Sequence, residues 1–359
     1  MDERLSGFRD RRIAEKITSK IRATAEGMGP IRLMHVCGTH EDAIAKAGIR
    51  SLLPDNVEII SGPGCPVCVT TAKEIDEAIA LAKEGATVAS FGDMMKVPGS
   101  ASCLWDAKAE GADVRIVYSI SDAVKLAKEK PGKEVVHIGI GFETTAPSSA
   151  AELLSAPENF FVLSCHRTIP AAMDFLLSEG DTKIQGFIDP GHVSAIIGVA
   201  PYRALSEKYG IPQVVAGFEP VDVLYGVFML LEMIGQKEHG VRNEYTRVVK
   251  EEGNAKAVAI LEKVFTPCDV KWRGFPVIPG SGLAIRDEYA GHDARKKFPL
   301  DVKESPEPRG CICGKILKGI AYPASCPLFG KRCTPESPVG PCMVSGEGSC
   351  HIAYKYGKK

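Results

Sequence analysis

The sequence carries almost no net charge. Its 44 Lys and Arg residues face 45 Asp and Glu, a formal charge of −1. The basic excess that general nucleic-acid binding uses is therefore missing. No apolar run approaches the roughly 20 residues that a membrane-spanning helix needs. The start, Met1-Asp2-Glu3-Arg4, lacks the apolar core of a signal peptide. No Walker-type phosphate loop is present, and Gly139-Ile140-Gly141 is too little for a dinucleotide fingerprint. Neither an ATP site nor a nicotinamide site is expected. What is left is a cytoplasmic, membrane-free globular chain. Its 359 residues, 45% hydrophobic and 25% charged, allow two or three domains.

Cysteine is the residue present in excess. There are twelve, and six of them fall between Cys311 and Cys350. Structural disulfides are rare in the cytoplasm, so metal binding or redox chemistry is the expected use. Three more cysteines lie in two neighbouring turns. One turn is Val36-Cys37-Gly38-Thr39-His40; the other is Ser61-Gly62-Pro63-Gly64-Cys65-Pro66-Val67-Cys68. Each follows a short apolar run, 31–36 and 57–60, and precedes a helical pattern. A thiol where a strand ends and a helix begins is expected to ionise more easily.

The same rhythm continues. Apolar runs at 86–91, 114–118, 135–140, 160–164, 186–188 and 214–216 each end in a polar or Gly/Pro-rich turn. Between them lie helical patterns, such as 71–84 and a segment capped by Ser121 that runs to 128. Apolar runs without alternation suit strands buried on both faces. Strands alternating with helices indicate parallel βαβ units, whose ligand crevice lies outside the carboxyl ends of the strands. The expected fold class is α/β, with two similar parallel-sheet domains, 31–120 and 121–240. Beyond 240 the texture changes: 241–252 and 255–265 read as helices, 272–283 is rich in Gly and Pro, and 303–309 reads as a hinge. Residues 311–359 are loop-rich with too thin an apolar core to stand alone, so a metal cluster or disulfide is expected there.

Three readings fit Cys37, His40, Cys65 and Cys68. They can form a Cys₃His zinc site, or a redox dithiol with Cys37 as the resolving thiol. They can also form an incompletely coordinated, transient site for a soft low-spin iron. His40 can support a Cys37 thiolate as base or hydrogen-bond donor, or simply bond to backbone. Asp93, Glu143 and Glu219 end apolar strands and can bind amides or substrate. His166-Arg167 and His192 can meet an anion. Cys103, Cys165 and Cys268 lack metal spacing and read as apolar thiols.

Several motifs resemble the HypD family of hydrogenase maturation proteins. They are Cys37-Gly38-Thr39-His40-Glu41, Gly62-Pro63-Gly64-Cys65-Pro66-Val67-Cys68, Phe91-Gly92-Asp93-Met94-Met95-Lys96-Val97-Pro98-Gly99, Gly141-Phe142-Glu143-Thr144-Thr145-Ala146-Pro147 and Gly217-Phe218-Glu219-Pro220. In the tail, Cys333-Thr334-Pro335 and Gly340-Pro341-Cys342-Met343-Val344-Ser345 extend the likeness. The resemblance implies a scaffold that works with the small protein HypC to assemble the Fe(CN)₂CO group of [NiFe]-hydrogenase. Cyanide would come from HypE, loaded by HypF, as a thiocyanate. The cargo iron would sit near Cys37, Cys65 and Cys68.

The resemblance also implies a [4Fe–4S] cluster in a small loop-rich iron–sulfur domain, 241–359, with a disulfide beside it. The expected ligands are Cys311, Cys326, Cys333 and Cys350, with Cys313 and Cys342 as the disulfide pair. The N-terminal segment, 1–30, would be a helix packed on that domain. The alternatives are a stand-alone, cluster-fed thiol–disulfide oxidoreductase and a zinc protein that only binds partners.

Overall fold

The structure, a computed structural model, describes residues 7–180 and 183–357; the Met1–Arg4 segment considered above lies outside them. Two parallel sheets form the body. The first contains β1 (Ile31–His35), β2 (Val57–Ser61), β7 (Gly186–Pro190), β8 (Pro212–Ala216) and β9 (Gly240–Asn243), in the order β2-β1-β7-β8-β9. The second contains β3 (Thr87–Ser90), β4 (Val114–Ile116), β5 (Val135–Gly141) and β6 (Phe160–His166), in the order β4-β3-β5-β6. An antiparallel hairpin, β10 (Phe265–Lys271) with β11 (Val277–Ile285), follows. Each parallel sheet reverses strand order once, between β1 and β7 and between β3 and β5. In such sheets the ligand crevice opens outside the carboxyl ends of those strands.

This corrects the expected division at 120/121. The second sheet is inserted whole into the first, so the first lobe is built from two separated stretches. Strand rhythm reveals that units are parallel but not which strands become neighbours. Past 240 the differences are larger. The expected helix over 241–252 is β9 followed by turns, and 277–285 is a strand. The helix Ala255–Val264 is present. It packs with the hairpin against the outer face of the second sheet, where Val264, Phe265, Leu283 and Ile285 join Val135, Phe160 and Val162. The cysteine-rich lobe is thus only the last part of the expected C-terminal domain.

The helix Arg11–Ala25 starts at Asp10, whose carboxylate accepts from the Arg12 N–H at 2.7 Å. Ile17, Ile21 and Ala25 recur on one face and are buried. They pack on the helix Pro220–Gln236 over the first sheet, not on the C-terminal lobe as expected. The helix Ile120–Glu129 is capped by Ser119 rather than Ser121, with the Ser119 hydroxyl accepting from Asp122 N–H. The other face of the first sheet, with Met34, Val36, Phe187 and Val215, meets Val88, Val136 and Ile138 of the second sheet in one central core.

One buried ion pair ties a helix start to a strand end. Glu74 accepts from Thr71 N–H at 2.9 Å, closing a capping box, and takes Arg167 Nη2 at 2.7 and 2.8 Å. Burial alone would raise the Glu74 carboxyl; the Arg167 and Arg295 guanidinium groups outweigh it and hold it below its ordinary value. Removing one member leaves the other charge stranded in the core. Arg167→Ala is expected to lower unfolding free energy by about 3–5 kcal/mol in urea titrations. A loss under about 1 kcal/mol would mean that the pair is solvated and weak.

Candidate functional site

Two strand-end turns meet at the carboxyl end of the first sheet. The Gly62 N–H donates to His35 O at 2.8 Å, and the Gly38 N–H donates to Gly64 O at 3.1 Å. Gly64 lies flat on the peptide that precedes Cys37. A Cβ there would fall 2.1 Å from Cys37 N and 2.3 Å from Val36 O, so only glycine fits. Cys65 follows at once and opens a short helix, Pro66–Val69, into which Cys68 is built. Cys65 and Cys68 are joined by a disulfide, with Cα atoms 5.2 Å apart. The Cys68 N–H donates to Cys65 Sγ at 3.2 Å. The three cysteines of the two turns are all buried, not set in an open crevice.

Burial decides the protonation states. It pushes the Cys37 thiol up to about 11, and hydrogen bonds from the His40 and Thr39 backbone oppose this only partly. Cys37 is therefore a thiol at neutral pH, not the thiolate that its place at a helix start suggested. His40 does not turn toward it. The His40 ring bonds through Nε2 to Gly217 O at 2.9 Å and Ala216 O at 3.2 Å. Burial and the nearby His35 hold it down at about 3, so it is neutral and its Nδ1 has no partner. The backbone-bonded alternative is the one built. A Cys₃His zinc site is not assembled here, because two of its sulfurs are bonded to each other and the histidine faces carbonyls.

Around this centre stand groups that the motifs only partly signalled. Glu41 accepts from Arg50 through both oxygens and meets His35 Nε2 at 2.6 Å. Burial would raise its carboxyl, but Arg50 and His35 hold it at about 2. The Phe218 ring stacks between His40, at 4.8 Å, and His192, at 3.9 Å. Glu219 takes Arg9, which leads in from the N-terminal helix, at 2.8 Å. Glu143 ends β5 and accepts from Ile169 N–H at 3.0 Å; burial raises its carboxyl to about 7. His166 bonds Ser149 through Nε2, and Arg167 is paired with Glu74. Asp189, at the end of β7, is fully buried with both oxygens unpartnered. Its sequence signal, a carboxylate closing an apolar strand, was the same as that of Glu143. Cys165 is buried, while Cys103 and Cys268 are half-buried.

The cysteine-rich lobe docks directly on this centre. Thr39 Oγ1 donates to Glu347 at 3.0 Å, and the Ser61 and Ser349 hydroxyls lie 2.8 Å apart. The helix Ser349–Tyr356, which carries Cys350, packs on the helix Gly38–Lys46. The turn Pro341–Met343, which carries Cys342, packs on the Cys65–Cys68 helix. Within the lobe, Cys311 Sγ is 3.3 Å from Cys313 Sγ. The neighbouring Cys311, Cys342 and Cys350 thiols together hold Cys313 well below an ordinary thiol. Cys326 contacts Gly310 O at 3.7 Å, and Cys333 Sγ accepts from Val339 N–H at 3.3 Å. Cys313 and Cys342 are free thiols in this structure.

Among the described residues, no three ligand-type side chains are spaced to hold a single metal ion. A multi-iron cluster asks for something different: soft thiolates on separate irons, in a loop that can close around it. Six cysteines in a loop-rich lobe meet that requirement of donor type. Gly340 adds room, because a Cβ there would lie 2.7 and 2.8 Å from the sulfurs of Cys313 and Cys311. The residues present therefore fit an iron–sulfur cluster in kind.

Fold and site together define a two-sheet α/β protein with a buried dithiol turn, against which a cysteine-rich lobe is docked. Comparison with known proteins makes this specific. Residues 12–357 match the family model described as "HypD: Hydrogenase formation hypA family". A hydrogenase expression/formation protein of Methanocaldococcus jannaschii is 51% identical over 351 residues, covering 97% of this chain and 98% of that one. The hydrogenase maturation factor HypD of Cupriavidus necator is 43% identical, covering 98% and 96%. That of Rhodobacter capsulatus is 42% identical, covering 98% and 97%. The chain belongs to the HypD family of hydrogenase maturation factors. No described helix is long and apolar enough to cross a membrane.

Two outcomes follow from the geometry. Gly64→Ala should push the two turns apart, at a cost of about 1–3 kcal/mol for overpacking. Cys37 should then become open to alkylation. Unchanged stability together with a protected Cys37 would show that the turns are not held by this contact. The second concerns pH. Glu143 titrates at about 7 folded against 4.5 ordinarily. Its raised folded value means stability is fully present below about 4.5 and lost as pH rises through 7. The difference is worth about 3 kcal/mol. Denaturation across that window should show this loss in the wild type, and Glu143→Gln should lack it.

Proposed function

We propose that this HypD-family chain is the scaffold on which the Fe(CN)₂CO group of [NiFe]-hydrogenase is assembled, in company with the small protein HypC. In this reading HypE, loaded by HypF, brings cyanide as a thiocyanate. Cys37, Cys65 and Cys68 hold the cargo iron once the disulfide is open, with His40 fixing the turn that carries Cys37. The observation that carries the reading is the stacking of three cysteine stations. The Cys37 peptide lies on Gly64, Cys65 and Cys68 come next, and the Cys342 turn packs against them.

The chemistry of cyanide release suits a dithiol. Two thiolates can cleave the S–C bond of a thiocyanate: they become a disulfide, the carrier leaves as a thiolate, and cyanide is freed for the iron. Atoms and charge balance, and both electrons come from the two sulfurs. In this reading the Cys65–Cys68 disulfide is the spent state of that step, and the pair holds iron only when reduced. Resetting it takes two electrons. In the lobe, Cys311, Cys326, Cys333 and Cys350 are the proposed ligands of a [4Fe–4S] cluster, with Cys313 and Cys342 as the thiol pair beside it. Such a cluster supplies electrons singly when bound. Cys342 belongs to the turn Pro341–Met343, through which the lobe packs on the dithiol helix. Ten of twelve cysteines are free, as suits a reducing cytoplasm.

The disulfide also favours a second reading, a stand-alone thiol–disulfide oxidoreductase. Infrared spectroscopy on the anaerobically purified complex with HypC separates the two. The scaffold reading expects bands of metal-bound cyanide and carbonyl, lost in Cys37→Ala, Cys65→Ala and Cys68→Ala. It also expects reduced cyanide loading in Cys313→Ser and Cys342→Ser. A complex with cluster iron only, active on a disulfide substrate and without those bands, would establish the oxidoreductase instead.

A further inference from the structure

Arg273 is a buried cation that the account so far leaves idle. It sits in the tip of the β10–β11 hairpin, Trp272-Arg273-Gly274-Phe275, where the Phe275 N–H donates to Trp272 O at 3.0 Å. Gly274 takes φ +78°, the left-handed region that favours glycine. Trp272 anchors the tip. Its indole N–H donates to Ser281 Oγ at 2.8 Å, and its ring stacks on Phe142 at 5.9 Å.

The tip is wedged between the dithiol helix and the cysteine lobe. On one side the Arg273 main-chain N–H donates to Val69 O at 2.8 Å. Val69 closes the helix Pro66–Val69 and directly follows Cys68. On the other side Gly274 lies against Gly314, which directly follows Cys313 in the helix Cys313–Leu317. A Cβ on Gly274 would fall 2.4 Å from Gly314 Cα, and a Cβ on Gly314 would fall 2.6 Å from Gly274 O. One hairpin tip therefore touches the neighbour of Cys68 and the neighbour of Cys313, main chain against main chain on both sides.

The guanidinium fastens this tip to two further segments. Its Nη1 donates to Pro98 O at 2.8 Å, in the loop that follows β3. Its Nε donates to Glu307 at 3.2 Å, in the stretch 303–309 that leads into Cys311. Lys271 binds the same stretch through Glu304 at 2.7 Å. Arg273 is 1% exposed, Glu307 is half-exposed, and Nη2 has no partner. Burying a guanidinium against one half-exposed carboxylate does little for stability. What the planar fork does supply is direction, because it holds two segments at once in a fixed geometry.

We propose that Arg273 is a positioning residue. It makes the hairpin tip a rigid spacer between the Cys65–Cys68 helix and the Cys313 helix, and it locks the stretch entering the lobe onto that spacer. The spacing itself follows from the contacts. Its use, keeping the lobe thiols at a set separation from the dithiol that they are to reset, rests on the scaffold reading above.

The test uses the full chain, purified anaerobically in complex with HypC. Amide hydrogen exchange reads the spacer, and the infrared bands of metal-bound cyanide read the assembly. In Arg273→Ala, amides of the dithiol helix and of the helix Cys313–Leu317 should exchange about 10-fold faster, the scale of one lost hydrogen bond to a charged group, while the nine parallel strands stay protected. The cyanide bands should weaken. Arg273→Lys keeps the charge without the fork, so it should regain the melting temperature but not the bands; a residue that only stabilised the fold would regain both. Gly314→Ala should weaken the bands from the lobe side of the same contact. If Arg273→Ala does not fold, Glu307→Gln decides, since it alters a half-exposed partner and should still loosen the helix Cys313–Leu317. Unchanged exchange in both helices, or full-strength bands in Arg273→Lys, overturns this proposal and leaves the scaffold reading standing. A wild-type complex without cyanide bands overturns the scaffold reading and this proposal together.

Discussion

Everything at the centre of the molecule depends on how closely two strand-end turns approach. Gly64 rests on the Val36–Cys37 peptide with no room for a single carbon between them. That contact sets the Cys37 turn beside the Cys65–Cys68 helix. It also fixes the surface on which the cysteine-rich lobe docks, since Gly38 and Thr39 meet Glu347 and Ser61 meets Ser349. A close backbone approach is stiff, because main-chain atoms meet with no flexible side chain between them. The lobe has little apolar core of its own, so its placement borrows rigidity from the two sheets.

Burial gives the site its second property, which is neutrality. Cys37, His40, Glu143 and Asp189 are all shifted toward their uncharged forms, and in each case desolvation is the largest cause. Charges survive nearby only where they are paired, as Glu41 is with Arg50 and Glu74 with Arg167. A centre of neutral thiols and acids suits chemistry that must be switched on by a partner or reductant. An already ionised thiolate cluster would bind stray soft metals and oxidise readily. The same burial shields the disulfide until something opens the site.

The relation between the lobes is also functional in form. The chain leaves the first sheet after β2, builds the whole second sheet, and returns to place β7 against β1. Asp189 and Cys37, far apart in sequence, are brought to adjacent strand ends by that return. Glu143 arrives from the corresponding end of the second sheet, and Tyr202 feels all three. Neither lobe alone would hold this group. The N-terminal helix closes the outer side of the first sheet and delivers Arg9 to Glu219, linking the start of the chain to the turn below Phe218.

Much of this was legible in the residues. Apolar runs without alternation marked eight of the nine parallel strands, because strands covered on both faces need no polar side. Glycine and proline around paired cysteines marked the turns, and the motif set marked the family. Besides β9 and the seat of the N-terminal helix, three things escaped. The interleaving of the lobes escaped because strand order is set by packing of distant surfaces. The hairpin β10–β11 escaped because its Gly- and Pro-rich strand lacks a clean alternation. The state of Cys37 escaped because the helix-start argument concerns local dipoles, and burial by remote elements outweighed them. The sequence by itself therefore determined which atoms are available and where each turn falls. Only the tertiary structure decided which of those turns meet and which groups keep their protons, since both follow from the exclusion of water by segments far away along the chain.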